Sequence, residues 1–171
     1  MVLKPQDIFV MLKLVALNEA HWTYNRLAVE LCMSPSEVHA AVKRALRARL
    51  AVSINDCIQA NRSSLEEFIT HGIKYVFVPE RGEMTRGIPT IYEVDPLKAL
   101  LSETDEPQPV WPDPVGETRG SSFSPLYKSV PQAARKDDAL YGLLMLVDAI
   151  RGGRSREREL AIKEIKRRLG R

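Results

Sequence analysis

Residues 23–50, TYNRLAVELCMSPSEVHAAVKRALRARL, hold the feature that most restricts what this chain can fold into. Ser34 is placed as a helix N-cap, Pro35 falls at the first helical position, and Glu37 stands where its carboxylate can return to the Ser34 N–H. Proline is tolerated at that position because its N–H would have no intrahelical acceptor. Met33 and Val38 are spaced as a hydrophobic staple across the cap. Beyond the cap, Val38, Ala41, Val42, Ala45 and Leu46 recur with helical period, so one side of this helix must be buried. A shorter helix precedes it. Thr23 can cap that helix, Leu27, Ala28 and Leu31 make its inward face, and Ala28 is small where two crossing helices approach.

The outward face of the second helix carries Ser36, His39, Ala40, Lys43, Arg44 and Arg47. A helix that is apolar behind and small, polar, then basic in front has the shape of a DNA recognition helix. Lys43 and Arg44 can donate to guanine O6/N7 or to phosphate, Ser36 and His39 can read base edges near the helix start, and Arg47 suits a phosphate. The pattern LAxxLxxSxxxVxxAVxxA, Leu27 to Ala45 here, resembles the helix-turn-helix of winged-helix bacterial transcription regulators, the MarR-like and related families. With a wing included, the resemblance spans residues 5–94. It implies a mainly α fold with a small β-wing (α+β), a recognition helix over residues 35–47 in the major groove of double-stranded DNA, and a wing on the backbone. The plain alternative is an ordinary helical hairpin in an unrelated bundle, and the basic outward face argues against it.

The chain's 171 residues allow one full domain or a small domain with an appendage, and a hydrophobic fraction of 44% is enough for a real core. No apolar run approaches the ~18 residues of a membrane span. The apolar N-terminus is broken by Lys4, Asp7 and Lys13 and has no small-residue cleavage site, so a cytoplasmic protein without a signal peptide is expected. Cys32 and Cys57 stand outside any CxxC pair, and His21, His39 and His71 lack metal-ligand spacing, which leaves two reduced thiols and no zinc site. Charge is uneven. Residues 1–50 hold seven Lys/Arg against four Asp/Glu, residues 51–150 nine against fifteen, and residues 151–171 nine against three. Two basic ends around an acidic middle suit a polyanion partner, or else are solvated helix faces.

Residues 5–18 read as a first helix started by Pro5 and apolar over most of its circumference. It must be buried on more than one side, either between domain core and a second subunit or wrapped by its own chain. Trp22 is expected to anchor the following connector. Residues 50–58, LAVSINDCI, read as a brief strand or an extended exit from the recognition helix. SSLEEFITHG reads as a helix capped at Ser63 or Ser64 and ended by Gly72; its Glu66 and Glu67, adjacent on a helix, diverge and make no acid–base pair. Residues 74–78 and 90–94 read as strands flanking an eleven-residue loop, residues 79–89. That loop is the expected wing, with Arg81 and Arg86 near its tip for phosphate or minor-groove contact and Glu80 and Glu83 weakening the local field. The extra helix before it departs from the simplest winged-helix order. The RGEMTRG stretch lacks the spacing of a phosphate-binding loop.

Residues 95–104 read as a short helix capped by Asp95 that closes a domain at 1–104. Residues 105–135 hold six prolines between Pro107 and Pro131 and read as a Pro-rich linker, although Val110, Trp111, Phe123, Leu126, Tyr127 and Val130 are too apolar for a free tether. Residues 136–151 and 154–169 read as two helices of a C-terminal hairpin, 136–171, which cannot bury its apolar face alone. It must dock on the N-terminal domain, on a twin or on another protein. The preferred expectation is a sequence-specific transcriptional regulator. It would pair as a homodimer on a palindromic site through its first helix or its C-terminal hairpin. The rival is a protein-interaction module, such as an antitoxin or accessory subunit, that binds a partner through residues 136–171. No nucleophile–base set, metal cluster or phosphate loop points to an enzyme, and no cofactor is expected.

Overall fold

The computed structural model describes residues 1–170 and is an α+β fold built around its first helix. α1 (Pro5–Leu17) starts as the sequence predicts. Pro5 occupies the first turn, and the Asp7 carboxylate accepts from the Lys4 N–H at 2.8 Å. Every residue from Asp7 to Val15 is buried. α2 (Tyr24–Leu31) is capped by Thr23, whose hydroxyl oxygen accepts from the Arg26 N–H at 3.1 Å. α3 (Pro35–Arg47) opens on the reciprocal cap read from the sequence: the Glu37 N–H donates to Ser34 Oγ at 3.2 Å and the Ser34 N–H to Glu37 Oε2 at 2.8 Å. Val38, Ala41, Val42 and Ala45 face α1 and α2 with at most 1% of their surface exposed. At roughly 25 cal/mol per Å² of apolar surface, that stripe is what holds α3 in place.

A hairpin follows at once. β1 (Ala51–Ile54) and β2 (Cys57–Ala60) pair antiparallel, with Ile54 opposite Cys57 and only Asn55 and Asp56 between them. Both turn residues have positive φ, 49° and 61°, the backbone a two-residue hairpin with matching twist requires. Asn and Asp accept that conformation better than other side-chain-bearing residues. The hairpin is fastened at its base, where the Asn61 N–H donates to Leu50 O at 2.9 Å, and along its length, where Trp22 Nε1 donates to Ile58 O at 3.2 Å. Residues 50–58 are therefore a strand–turn–strand rather than a single strand or an extended exit. Trp22 anchors the connector onto this hairpin.

α4 (Arg62–His71) is capped by Asn61, two residues before Ser63 and three before Ser64, the expected caps, and ends at Gly72. The strands and wing loop expected over residues 74–94 are not there. α5 (Ile73–Val76) is a single helical turn that buries Ile73 and packs on α4 and on the helix over residues 138–152, overriding the β propensity of KYVFV. The expected loop, residues 79–89, is mostly β3 (Arg81–Pro89), and residues 90–94 form a tight bend with Ile91 at φ 76°. A 3₁₀ turn, Leu97–Glu103, replaces the expected Asp95-capped helix and has no side-chain cap.

β4 (Pro109–Pro112) and β5 (Thr118–Phe123) close a three-stranded barrel with β3, which runs antiparallel to both, while β4 and β5 are parallel. The strands cross at van der Waals limits. A Cβ on Gly87 would lie 2.0 Å from Trp111 O, and one on Gly120 2.0 Å from Gln108 O. Residues 105–135 are thus no linker. Prolines sit at the ends of β4, where a missing N–H does little harm, and Val110, Trp111 and Phe123 are buried.

α6 (Val130–Arg135), α7 (Asp138–Gly152) and α8 (Ser155–Leu169) complete the chain. α7 packs on α1 and α8 and is buried continuously from Gly142 to Arg151. The C-terminal helices dock on their own N-terminal unit, so the boundaries expected at 104 and 135 separate nothing. Three polar ties mark the seam. Lys13 Nζ, deep in α1, meets Asp137 Oδ2 at 2.7 Å and Glu30 Oε2 at 3.0 Å. Ser129 Oγ donates to Leu31 O at 2.7 Å, at the end of α2. Arg62 donates to Arg168 O. α1 is wrapped by α3, β2 and α7, and the apolar face of the C-terminal hairpin is buried on its own chain, so α1 is not the open contact face that the first expectation requires. Among the described residues no helix is long and apolar enough to cross a membrane.

Candidate nucleic-acid interface

α3 divides into four longitudinal strips: an inner one, an outer one and two flanks. Its inner strip is the buried apolar stripe. Its outer strip presents Ser36, Lys43 and Arg47, all exposed, with Ala40 half-buried among them. The flanks are occupied by neighbours, and these decide what each side chain is free to do.

On one flank stands Arg44. Its guanidinium is not displayed outward: Nε and Nη2 reach the Asp7 carboxylate at 2.8 Å each, and only 12% of the side chain remains exposed against none of Asp7. The hydrogen bonds to Asp7 hold Arg44 charged, above its already high value. This corrects the expectation that Arg44 reads bases. It ties the first turn of α1 to the last turn of α3.

Glu37 shares that flank. Besides closing the cap, it accepts from the Tyr127 hydroxyl at 2.5 Å. That hydrogen bond, with the cap contacts to Ser34, pulls the Glu37 carboxyl down to about 2, and the same contact with burial pushes the Tyr127 phenol up to about 12. Lys128 follows Tyr127 and is exposed, so a residue from the C-terminal half brings positive charge beside the first turn of α3. Lys136 also lies near, with Nζ 3.4 Å from Cys32 Sγ in the turn between α2 and α3.

On the opposite flank His39 is exposed and leans on the Tyr24 ring, centroids 4.8 Å apart. Tyr24 in turn meets Trp22 edge-on at 5.2 Å. Past the end of α3, Arg49 is exposed at φ 64°, adding a guanidinium that the helical wheel of residues 35–47 leaves out.

The hairpin β1–β2 carries no Lys or Arg. Its exposed residues are Ser53, Ile54, Asn55, Asp56, Cys57 and Gln59, and its tip is acidic. Arg81 and Arg86, expected on a wing, lie instead on β3 of the barrel. Arg81 sits over the Phe123 ring at 5.1 Å and donates to Gly152 O; Arg86 is exposed opposite Arg119 of β5. The structure therefore brings Ser36, His39, Ala40, Lys43 and Arg47 together and sends Arg44, Arg81 and Arg86 to other tasks. Among the described residues no group of three His, Cys, Asp or Glu side chains is placed to hold a metal ion. The chain matches no known family model, no curated protein and no solved structure.

Proposed function

We propose that residues 1–60 form a winged helix-turn-helix head and that the protein is a sequence-specific DNA-binding regulator, with α3 in the major groove. The observation that carries this reading is the outer strip of α3. Ser36, His39, Lys43 and Arg47 share one exposed face of a helix whose opposite face is wholly buried, and a two-residue hairpin follows directly in the position of a wing. Ser36 and His39 lie near the N-terminal end that enters a groove, and Lys43 donates to guanine or phosphate. Arg47 and Arg49 suit the flanking backbone. The neutral-to-acidic hairpin contributes shape and the Asn55 amide rather than charge. Pairing on a two-fold site belongs to the same proposal, with a contact surface outside α1.

The test is fluorescence anisotropy of the intact protein with duplex DNA from its own upstream region against a scrambled duplex, over a salt series. Preference for the upstream duplex that survives added salt is expected, with Lys43→Ala and Arg47→Ala each reducing the salt slope by about 0.9. Equal binding that vanishes with salt, or no binding, overturns the reading.

A further inference from the structure

Arg86 of β3 and Arg119 of β5 stand directly opposite each other in the barrel as an antiparallel Cα pair, and both are exposed. Residues paired in this way project to the same side of their strands with Cβ atoms about 5 Å apart, where like charges destabilise the sheet. Neither guanidinium meets a carboxylate or another hydrogen-bond acceptor among the described residues. The carboxylate that the end of β4 brings up beside Arg86 is already taken. The Asp113 N–H donates to Arg86 O at 3.1 Å, but Asp113 Oδ1 is held by Arg135 at 2.6 Å and by the Val115 N–H at 2.9 Å. Apolar surface is exposed alongside. Met84, two residues before Arg86 and so on the same side of β3, is 43% exposed opposite Ser121. Val115 is 68% exposed, and residues on either side of it touch the same stretch of β3: Asp113 at Arg86 O, and Gly116, whose Cβ would lie 2.4 Å from Gly87 O.

We propose that this face of the barrel docks an acidic, partly apolar segment of another protein, whose carboxylates pair with Arg86 and Arg119 and whose apolar side chains cover Met84 and Val115. A guanidinium fork matches a carboxylate with two parallel hydrogen bonds, and each such pairing relieves the repulsion between the two arginines. Composition separates this partner from a nucleic acid. β3, β4 and β5 hold no lysine, and the exposed Glu83 and Glu117 flank the pair in sequence. A phosphate chain, charged at every step, would have to pass these carboxylates, whereas a peptide need place only two charges. Arginine and methionine without lysine is the make-up of a protein–protein surface, and surfaces that hold nucleic acid are far more positive. None of these residues belongs to residues 1–60, so the docking stands apart from the DNA reading given under Proposed function.

The test follows the intact, isotopically labelled protein by NMR as it is titrated with a short capped peptide of alternating aspartate and leucine. Saturable one-to-one shifts are expected for the Arg86 and Arg119 Nε–H signals and for the Met84 methyl. The same peptide with serine in place of aspartate should bind about tenfold more weakly or worse, and Arg86→Gln with Arg119→Gln should weaken the acidic peptide by a similar factor. That double variant should also unfold at higher urea than the parent chain, since the repulsion between the paired strands is gone. The two-peptide comparison uses the unaltered chain and needs no variant. The proposal is overturned by the absence of saturable shifts at these three side chains, by equal binding of the serine peptide, or by a double variant that keeps the parent affinity or is less stable than the parent. It is also overturned by a scrambled DNA duplex that shifts the same side chains at lower concentration than the peptide, which would make the face a nucleic-acid contact. All of these readouts lie on the barrel, so their failure and the failure of DNA binding by α3 are separate results.

Discussion

Tyr127 donates its hydroxyl hydrogen to Glu37 at 2.5 Å across 90 residues of sequence, and Glu37 is at the same time the residue that closes the cap of α3. One carboxylate therefore joins the C-terminal half of the fold to the first turn of the helix proposed to enter DNA. Because Glu37 is held at about 2 in the folded chain against 4.5 ordinarily, its ionised form favours the fold. That contribution is fully present above the unfolded value and is lost as pH falls through the folded one, between about 4.5 and 2. Tyr127 runs the other way. Its phenol is raised from 10.0 to about 12, so its contribution is complete below 10 and is lost as pH rises toward 12. Tyr127→Phe is expected to reduce both dependences, and NMR titration of the Glu37 carboxyl should find its midpoint moved up toward 4.5. A Glu37 midpoint unchanged in Tyr127→Phe would sink the assignment of Tyr127 as the main cause.

Arg44 and Asp7 make a different kind of tie, a nearly buried ion pair. Removing one partner strands the other charge in the core, which typically costs about 3–5 kcal/mol. Arg44→Ala is thus expected to unfold at markedly lower urea concentration, whereas Asp7→Asn with Arg44→Met, which removes both charges, should recover most of the loss. Urea melts of the parent chain and both variants give the answer. If Arg44→Ala stays as stable as the parent chain and loses only DNA affinity, Arg44 belongs to the reading face after all.

Why Lys43 and Arg44 differ so sharply could not be read from residues 35–47. Both project from the same side of a helical wheel, and the partner that claims Arg44 lies 37 residues upstream. The caps at Thr23 and Ser34 and the stripe from Val38 to Ala45 were legible because they are local and periodic. The hairpin is hidden for a reason also visible locally: Asn55–Asp56 lacks the glycine that usually marks a two-residue turn, so LAVSINDCI reads as one extended run. Residues 105–135 misled through their prolines. What orders them is pairing with β3 and the buried indole of Trp111, and no window of sequence carries that pairing.

Asp148 is where that second half is fastened. Fully buried on α7, it accepts from Thr90 Oγ1 and Trp111 Nε1, each at 2.7 Å, and pairs with Arg151 at 2.7 Å. Burial pushes its carboxyl above the ordinary range, and Arg151, Thr90 and Trp111 act against that. Asp148→Ala leaves a buried guanidinium and two donors without their shared acceptor, so a loss of about 3–5 kcal/mol is expected. Asp148→Asn keeps one acceptor oxygen and should lose less. Trp111 emission reports the change directly: a red shift in the folded Asp148→Ala protein is expected as the barrel loosens. A variant with unaltered emission and stability would show that the barrel does not depend on this residue.

The hairpin tip gives the last prediction, because at Asp56 conformation and charge can be separated. Asp56 stands at φ 61° beside the proposed DNA surface and bears the carboxylate at the hairpin tip. Asp56→Gly relieves the left-handed strain and removes the charge; Asp56→Asn removes the charge and keeps a side chain that tolerates the turn. Stability should rise by a few tenths to about 1 kcal/mol for Asp56→Gly and stay nearly unchanged for Asp56→Asn. DNA affinity, on the proposed reading, should rise for both by a similar factor at low salt and converge on the parent value as salt screens the phosphates. A gain confined to Asp56→Gly would mean that hairpin rigidity, and not charge, limits binding. No gain in either variant would place the hairpin tip away from the DNA, and the proposed docking of the head would have to be turned accordingly.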